Sequence, residues 1–572
     1  MLKDLLADSR RNEPLWLPDL RETFSQMSDG VPLILRLSSF DGKTRDYRHT
    51  LPTWKNAEER ELITKYLCAT VYNAMSVCGG YDLCIYTDTS RGEVMELLEE
   101  LRGKFQLEAS SRSGLGKVIN IANRMGRAFG KGDFVLHEKD QKEYSPLSDE
   151  IHRDSAPLQE RLKNICQKAN DLNCVGIDIG GTDIKLVAAS RGSIIAIKEY
   201  DWNPAQFSTA EEILYPILLL IRLMRACIAC GSLIGELACA LKKEATLACM
   251  AKAVEAAENT VDCNVLDAVG VSFPDIVLRD RIIGGETPKT DGMRKNKALP
   301  YEEEFAKLGE LRQAVLALCR TPGYCRIVND GHMAAFTTAV ELAFADRGEE
   351  IKDGVLAHSL GTDLGTGWLD ERGEIPQFPL ELYDVWVDLG SEKASAYPPL
   401  DLRSIKNENS GLPGARRYLG QAATYRMAWE LKPALLDGFV QEDNNVLTIR
   451  MDPEDLRKPC LEHLMRCAAN GDADAREIFR RIGRHLAVVT RELEFLLHPQ
   501  AKTRTIFGRF VKSEACFALI QEGFAQSLPD IQLINGGDGL ANTPLMRQLD
   551  ARTDATVAQF AQAVGAVYYA FI

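Results

Sequence analysis

Eleven residues, Val175–Lys185 (VGIDIGGTDIK), have the side chains and spacing of a phosphate site. Alternate apolar residues, Val175, Ile177 and Ile179, deliver Asp178 to the end of a strand. Gly180 and Gly181 then let the backbone reverse where a side chain would block an approaching anion. Bare N–H groups and the Thr182 hydroxyl suit phosphate oxygens, Lys185 is placed to balance their charge, and Asp178 can take Mg²⁺, directly or through water. That chemistry fits a nucleotide. Two glycines after a strand also make an ordinary hairpin turn, so the surrounding elements must decide between the two.

Those elements read as follows. LVAAS and 193–202 supply the next two strands of a meander, and a long helical stretch covers 209–259. A strand ends at Ser272, Phe273-Pro274 breaks it, and a second run, Asp280 to Ile283, leads into a polar segment, Glu286 to Met293. Ile327 and Val328 finish another strand with Asn329-Asp330 at its end and a small-residue helix beyond; an Asp there is also a good helix cap. GVLAHSLGTDLGTGWLDERGEI (354–375) begins with strand, Gly-Thr turn and strand, as 175–190 does, and this duplication argues for two related lobes. Near the C-terminus a long amphipathic helix, a His498-Pro499 break and the strand TIFG follow in order.

Residues 1 to about 150 read as a separate α/β domain, with strands at 33–40 and 81–88 and helices at 59–78 and 91–105. Between Arg102 and Lys131 seven Lys or Arg residues (102, 104, 112, 117, 124, 127 and 131) face one Glu, which reads as a solvated helix and loop in preference to an anion surface. SGLGKVINIANRMGRAFG (113–130) lacks the clean spacing of a helix-turn-helix. The charged stretch 138–173, with Pro146 and Pro157, holds the domain boundary near 150, and a helix is expected after Asp154 or Ser155.

Composition narrows the class. A chain of 572 residues exceeds one compact core, and its formal charge of −14 makes bulk attraction to nucleic acid an unexpected role. Fifteen cysteines, an odd number without repeating spacing, fit reduced thiols in a cytoplasm better than a disulfide framework. Cys227 and Cys230 form a CxxC inside an apolar run, without a second pair, and read as two thiols on one helix face. The first residues, MLKDLLADSRRNEP, carry charges where a signal peptide needs its apolar core. The apolar stretch Ile213–Leu241 is interrupted by Pro216, Arg222, Arg225 and Glu236, so a buried helix or helical pair is expected there and no membrane role.

From about residue 172 to 572, seven tenths of the chain, the sequence resembles the sugar kinase, hexokinase, actin and Hsp70 superfamily, and within it the ROK family of sugar kinases and sugar-responsive repressors. The resemblance implies two ribonuclease H-like, actin-type ATPase lobes, over 151–330 and 331–572, behind the additional N-terminal α/β domain. It implies ATP and Mg²⁺ as cofactors, with Asp178 as the Mg²⁺ residue and Gly180, Gly181, Thr182 and Lys185 around the phosphates. Gly361, Thr362, Gly365, Thr366 and Gly367 resemble the second phosphate motif, although Asp363 replaces a Gly. Gly508 keeps the place of the adenosine glycine turn, here Gly508-Arg509-Phe510, and INGGDG (534–539) offers a second turn nearby.

Asp330 falls where the family has its general base: a carboxylate placed against a weakly acidic sugar hydroxyl takes the proton as the bond to phosphorus forms. Asn329 falls beside it, and His332 replaces the usual residue. Asp275 stands where the family usually has Gly, and the sugar-loop candidates are Thr287, Lys289 and Thr290. Glu381, in PQFPLELYDVW, stands in for a sugar-binding Glu; Tyr383 and Trp386 are placed to stack on a sugar or to pack. The family's zinc site is not expected: no Cys occurs between Cys325 and Cys460, Ala415 occupies a ligand position, and the interval offers only His332 and His358. The implied function is phosphorylation of a sugar hydroxyl by a cytoplasmic enzyme whose partner is a small-molecule sugar, with a homodimer compatible. The alternative is a non-catalytic sugar or nucleotide sensor whose output lies in the first domain.

Overall fold

The computed structural model describes residues 1–105, 114–147, 157–231, 233, 235–285, 287–361, 364–408, 410–537 and 539–572. Thr362, Asp363, Arg112, Asp154, Ser155 and Glu286, all invoked above, lie outside them, as does the expected boundary near 150.

The N-terminal segment opens with α1 (Leu2–Arg10) and α2 (Leu17–Ser25), then β1 (Val31–Ser38), β2 (Thr44–Leu51), α3 (Ala57–Cys78), β3 (Asp82–Thr87), α4 (Gly92–Phe105), α5 (Gly116–Phe129) and β4 (Val135–Asp140). Its sheet runs β2–β1–β3–β4. The long helix α3 starts at an Asn56 cap, whose side chain accepts the Glu59 N–H at 3.0 Å, and is buried on nearly every side from Leu62 to Cys78. A helix apolar all round belongs inside a protein. It lies between this sheet and the second lobe, and the two share one continuous apolar core. Polar cross-links reinforce the join. Glu492, fully buried on the long helix Ala473–Leu497, accepts from Arg21 at 2.7 Å and from Asn73 at 2.9 Å. The stretch considered for a helix-turn-helix forms the single helix α5.

The first lobe is a five-stranded sheet in the order β11–β8–β5–β6–β7, from β5 (Asn173–Ile179), β6 (Asp183–Ser190), β7 (Ser193–Asp201), β8 (Ala268–Phe273) and β11 (Tyr324–Asn329). Between the last two, β9 (Val277–Leu278) and β10 (Arg281–Ile282) form a small hairpin. The β5–β6 and β6–β7 pairs are antiparallel; β5–β8 and β8–β11 are parallel. This is the arrangement the ribonuclease H-like expectation requires. The expected helical stretch after β7 divides into Ala210–Cys230, Gly235–Ala240 and Leu247–Glu258, because Gly231 takes a left-handed φ of 63° and ends the first helix. Ala210–Cys230 is, among the described residues, the one helix long and apolar enough to cross a membrane, and 61% of its most apolar window is buried inside the protein. The sheet's other face takes the C-terminal helix, Val557–Tyr569. Ideal Cβ atoms at Gly176 and Gly270 would lie 1.9 and 1.8 Å from its carbonyl oxygens, so both positions need glycine for the helix to seat. The chain's last helix thus returns to its first lobe.

The second lobe repeats strand, turn and antiparallel strand in β12 (Val355–Leu360) and β13 (Leu364–Leu369), followed, after the β14 (Val440–Asp443) and β15 (Val446–Ile449) hairpin, by β16 (Thr503–Gly508) and β17 (Gln532–Asn535). Its sheet order is β13–β12–β16–β17, with the last two junctions parallel. Helix Ala473–Leu497 is capped by Asp472 and stops at His498, whose φ of 47° precedes Pro499.

The candidate active site

Parallel pairing aligns the carboxyl ends of β5, β8 and β11, with Asp178 opposite Ser272 and Phe273 opposite Asn329. Such an edge is where open α/β sheets leave a crevice. Ser272 donates its hydroxyl to Asp178 Oδ1 at 2.7 Å. Burial pushes the Asp178 carboxyl up to about 6, the Ser272 hydroxyl opposes this, and the nearby charge of Asp330 adds to it. Two carboxylates within electrostatic reach at a strand edge suit a divalent cation. Among the described residues no group of three or more His, Cys, Asp or Glu side chains is arranged to hold a metal ion. A Mg²⁺ at Asp178 would therefore draw most of its ligands from water and phosphate oxygens, as this hard cation commonly does.

The glycine turn is braced from behind. Gly180 donates its N–H to the Asp183 carbonyl at 2.7 Å, and the Trp202 indole N–H donates to the Gly180 carbonyl at 3.0 Å. Gly181 and Thr182 are exposed. Lys185 is engaged elsewhere, its ammonium 2.5 Å from Asp183. The cation beside the turn is Lys289: its Cε lies 3.4 Å from an ideal Cβ on Gly181, and its ammonium donates to the Pro274 carbonyl at 2.8 Å.

Asp330 opens the helix Asp330–Phe344, and its Oδ1 accepts the Gly331 N–H at 2.9 Å. Asn329 caps the same helix through Oδ1 and donates its amide to the Asp275 carbonyl at 2.9 Å. The Asp275 carboxylate, buried, accepts backbone N–H groups of Ile276 and Gly285. These bonds tie the carboxyl end of β11 to the loop after β8.

The second lobe meets this helix through backbone. Gly331 and Gly367 touch so closely that a Cβ on Gly367 would lie 1.8 Å from the Gly331 carbonyl oxygen. His332 is buried one residue on, its Nδ1 accepting the Trp368 N–H at 3.0 Å; burial holds its pKa down to about 4, so it is a neutral brace turned away from the cleft. Thr366 backs onto buried His358, with Oγ1 3.2 Å from Nδ1. Gly361 is open, with nothing within 4 Å of an ideal Cβ. Gly508, at φ 101°, is pressed against the Leu360 carbonyl, so close packing of β16 on β12 demands glycine there.

A cleft of about 370 Å³ collects Thr287, Lys289, Asn329, Asp330, Gly361, Gly365, Thr366, Glu381 and Tyr383. Among the described residues Thr287 Oγ1, buried there, has no hydrogen-bond partner and is a group ready for a ligand, whereas the Thr290 hydroxyl is within bonding distance of Tyr301 Oη and the Thr287 carbonyl. Burial pushes Glu381 up to about 8. Trp386 lines a separate cavity and donates its indole N–H to the Asp388 carbonyl at 2.9 Å. A second cavity of about 450 Å³, bordered by Gly508, Arg509, Arg457, Lys458 and Lys512, shares Gly361 with the first. The sequence gives no site role to Ser272, named only as a strand end, to Lys117, named only within a basic run, or to the basic residues at 457, 458 and 512.

No protein-family model and no curated protein matches the chain. Among solved structures it is similar to a ROK family glucokinase from Streptomyces griseus in complex with glucose and AMPPNP (18% identity, 69% of this chain, 98% of that chain, TM-score 0.35). It is also similar to the ROK hexokinase from Thermus thermophilus (15%, 70%, 98%, 0.36) and to a putative N-acetylmannosamine kinase from Listeria monocytogenes (16%, 70%, 98%, 0.40). Likenesses this distant concern the fold, and no residue role passes from them to this chain.

Proposed function

We propose that this chain transfers the terminal phosphoryl group of ATP to a hydroxyl of a sugar or sugar derivative. The observation that carries the reading is the cleft at Asp330: one carboxylate reaches it from a helix N-terminus, a polar wall with Glu381 bounds one side, and an open glycine turn at Gly361 bounds the other. ATP lies along Gly361, its nucleoside end in the 450 Å³ cavity and its terminal phosphate beside Asp330. Lys289 balances phosphate charge, because Lys185 is occupied by Asp183. Asp178 is the residue that would hold Mg²⁺, and a bound Mg²⁺ would supply neutralisation of charge on the phosphate oxygens.

Asp330 accepts the proton of the sugar hydroxyl as its oxygen bonds to phosphorus in line, and the bond from phosphorus to the bridging oxygen breaks to release ADP. Glu381, Thr287 and Asn329 orient the sugar. An ADP-release screen against hexoses, amino sugars and polyols tests the reading. Asp330→Asn should lower turnover by roughly 10²- to 10⁴-fold while nucleotide affinity stays near wild type. Full turnover in that variant removes Asp330 as the base. No turnover with any acceptor removes the kinase reading and leaves the sensor.

A further inference from the structure

The proposed reaction uses no residue before Asp178, yet the N-terminal domain forms the back of the sugar-side wall. Leu380 sits at φ 53°, a conformation strained for leucine. Two hydrogen bonds to carbonyls of α3 hold it there: Leu380 donates its N–H to the Val77 carbonyl at 2.9 Å, and Glu381 its N–H to the Ser76 carbonyl at 3.1 Å. Strain of this kind persists only where surrounding structure imposes it, and here the imposing structure is another domain.

Side chains repeat the pattern. Lys117 of α5 is 1% exposed, and its ammonium is ion-paired with Asp384, itself 1% exposed. The same ammonium donates to Tyr383 Oη at 2.9 Å and lies 4.8 Å from the centre of that ring. Asp384 also accepts the Asn407 amide at 2.5 Å. Lys117 therefore stands directly behind Tyr383 and beside Glu381, both of which line the cleft. Its positive charge opposes the rise in the Glu381 pKa that burial causes. A buried lysine is costly unless paired, so its placement fixes Asp384, and with it the whole turn from 380 to 384.

Resting on the phosphotransfer reading, we propose that the N-terminal domain is a working part of the acceptor pocket, with Lys117 as the positioning residue that sets Glu381 and Tyr383 against the sugar. A domain in this role ties sugar recognition to a segment outside both lobes. The same domain also touches the first lobe. Phe40, Ile121 and Met125 pack against Ile276, Leu278 and Ile283, and Arg124 donates to the Gly284 carbonyl at 2.8 Å. The wall is therefore referenced to both sides of the cleft.

The test compares Lys117→Met with Lys117→Met/Asp384→Asn, the second of which removes the unpaired buried carboxylate that the first would leave. Steady-state kinetics use full-length protein and whichever acceptor of the ADP-release screen turns over fastest. Both variants should raise the sugar KM at least tenfold with the ATP KM within twofold, and only the double variant should regain the wild-type thermal midpoint. Hydrogen exchange at the Leu380 and Glu381 amides should accelerate at least tenfold in both. A sugar KM that recovers together with the thermal midpoint in the double variant overturns the proposal, as does unchanged exchange. If the wild type phosphorylates no hexose, amino sugar or polyol in the ADP-release screen, the kinase reading is what has failed, and the exchange rates alone decide whether Lys117 holds the wall.

Discussion

Gly367→Ala tests whether the second glycine turn and the proposed base, Asp330, are one mechanical unit. An ideal Cβ at Gly367 falls 1.8 Å from the Gly331 carbonyl oxygen, 2.1 Å from its carbon and 2.5 Å from the His332 nitrogen. Non-bonded heavy atoms settle at about 3.5 Å, so β13 and the head of the helix must separate by roughly 1.5 Å. Every atom met is backbone, which leaves no side chain to swing aside. Overpacking of this kind costs about 1–3 kcal/mol of stability. Asp330 is bonded to Gly331, and a misplacement of about 1 Å is worth on the order of 100-fold in rate, or about 2.7 kcal/mol of barrier. The assay pairs kcat from ADP release with the thermal midpoint. Gly361→Ala is the reference: its Cβ meets nothing within 4 Å, so it should fold as wild type but, on the proposed path of the phosphate chain, raise the ATP KM. A Gly367→Ala protein with wild-type kcat and thermal midpoint refutes the reasoning.

Lys289→Ala should raise the ATP KM tenfold or more, whereas Lys185→Met, which removes an ammonium already paired with Asp183, should change it less than threefold; the reverse order would return the phosphate role to Lys185. The folded pKa of Asp178, about 6, lies above its ordinary 3.8, so the fold holds that proton more tightly than the unfolded chain does. Its contribution to stability is complete below pH 3.8 and is lost as pH rises through 6. Asp178→Asn should accordingly raise the thermal midpoint more at pH 8 than at pH 5, and in the wild type the Mg²⁺ concentration needed for half-maximal rate should climb as pH falls below 6. Deleting residues 1–147 should give insoluble protein, because it strips Tyr47, Arg21 and the buried α3 from the helix that carries Glu492 and Phe495; a soluble, cooperatively melting remainder would show that the shared core is dispensable.

Much of the candidate site is legible in sequence because its residues sit where strands stop. Asp178, Asn329 and Asp330 each follow an alternating or continuous apolar run, and such runs fix where a strand ends almost regardless of context. The residues that escaped notice are cations and hydroxyls whose partners are distant in sequence. Lys117 read as one charge in a basic run, yet it is buried against Asp384, 267 residues away. Arg124 and Arg102, from the same run, also end in ion pairs, with Glu302 and Glu138. Sequence placed Lys185 at the phosphates and Lys289 in the sugar loop; in the fold Asp183 lies within reach of Lys185 and Lys289 stands beside Gly181. His332 read only as a replacement for the usual residue, and in the fold its ring nitrogen accepts the backbone N–H of Trp368.

The order of strands and turns belongs to the chain itself, since period-2 burial, paired glycines and helix caps act over a few residues and need no distant partner. Assembly of the cleft belongs to the tertiary structure. Which glycines face open space and which face backbone, which lysine stands beside the first glycine turn, and whether the first domain stands apart or packs on the second lobe all depend on contacts across hundreds of residues. Burial, pairing and charge at those contacts are properties of the folded whole, and no local pattern encodes them.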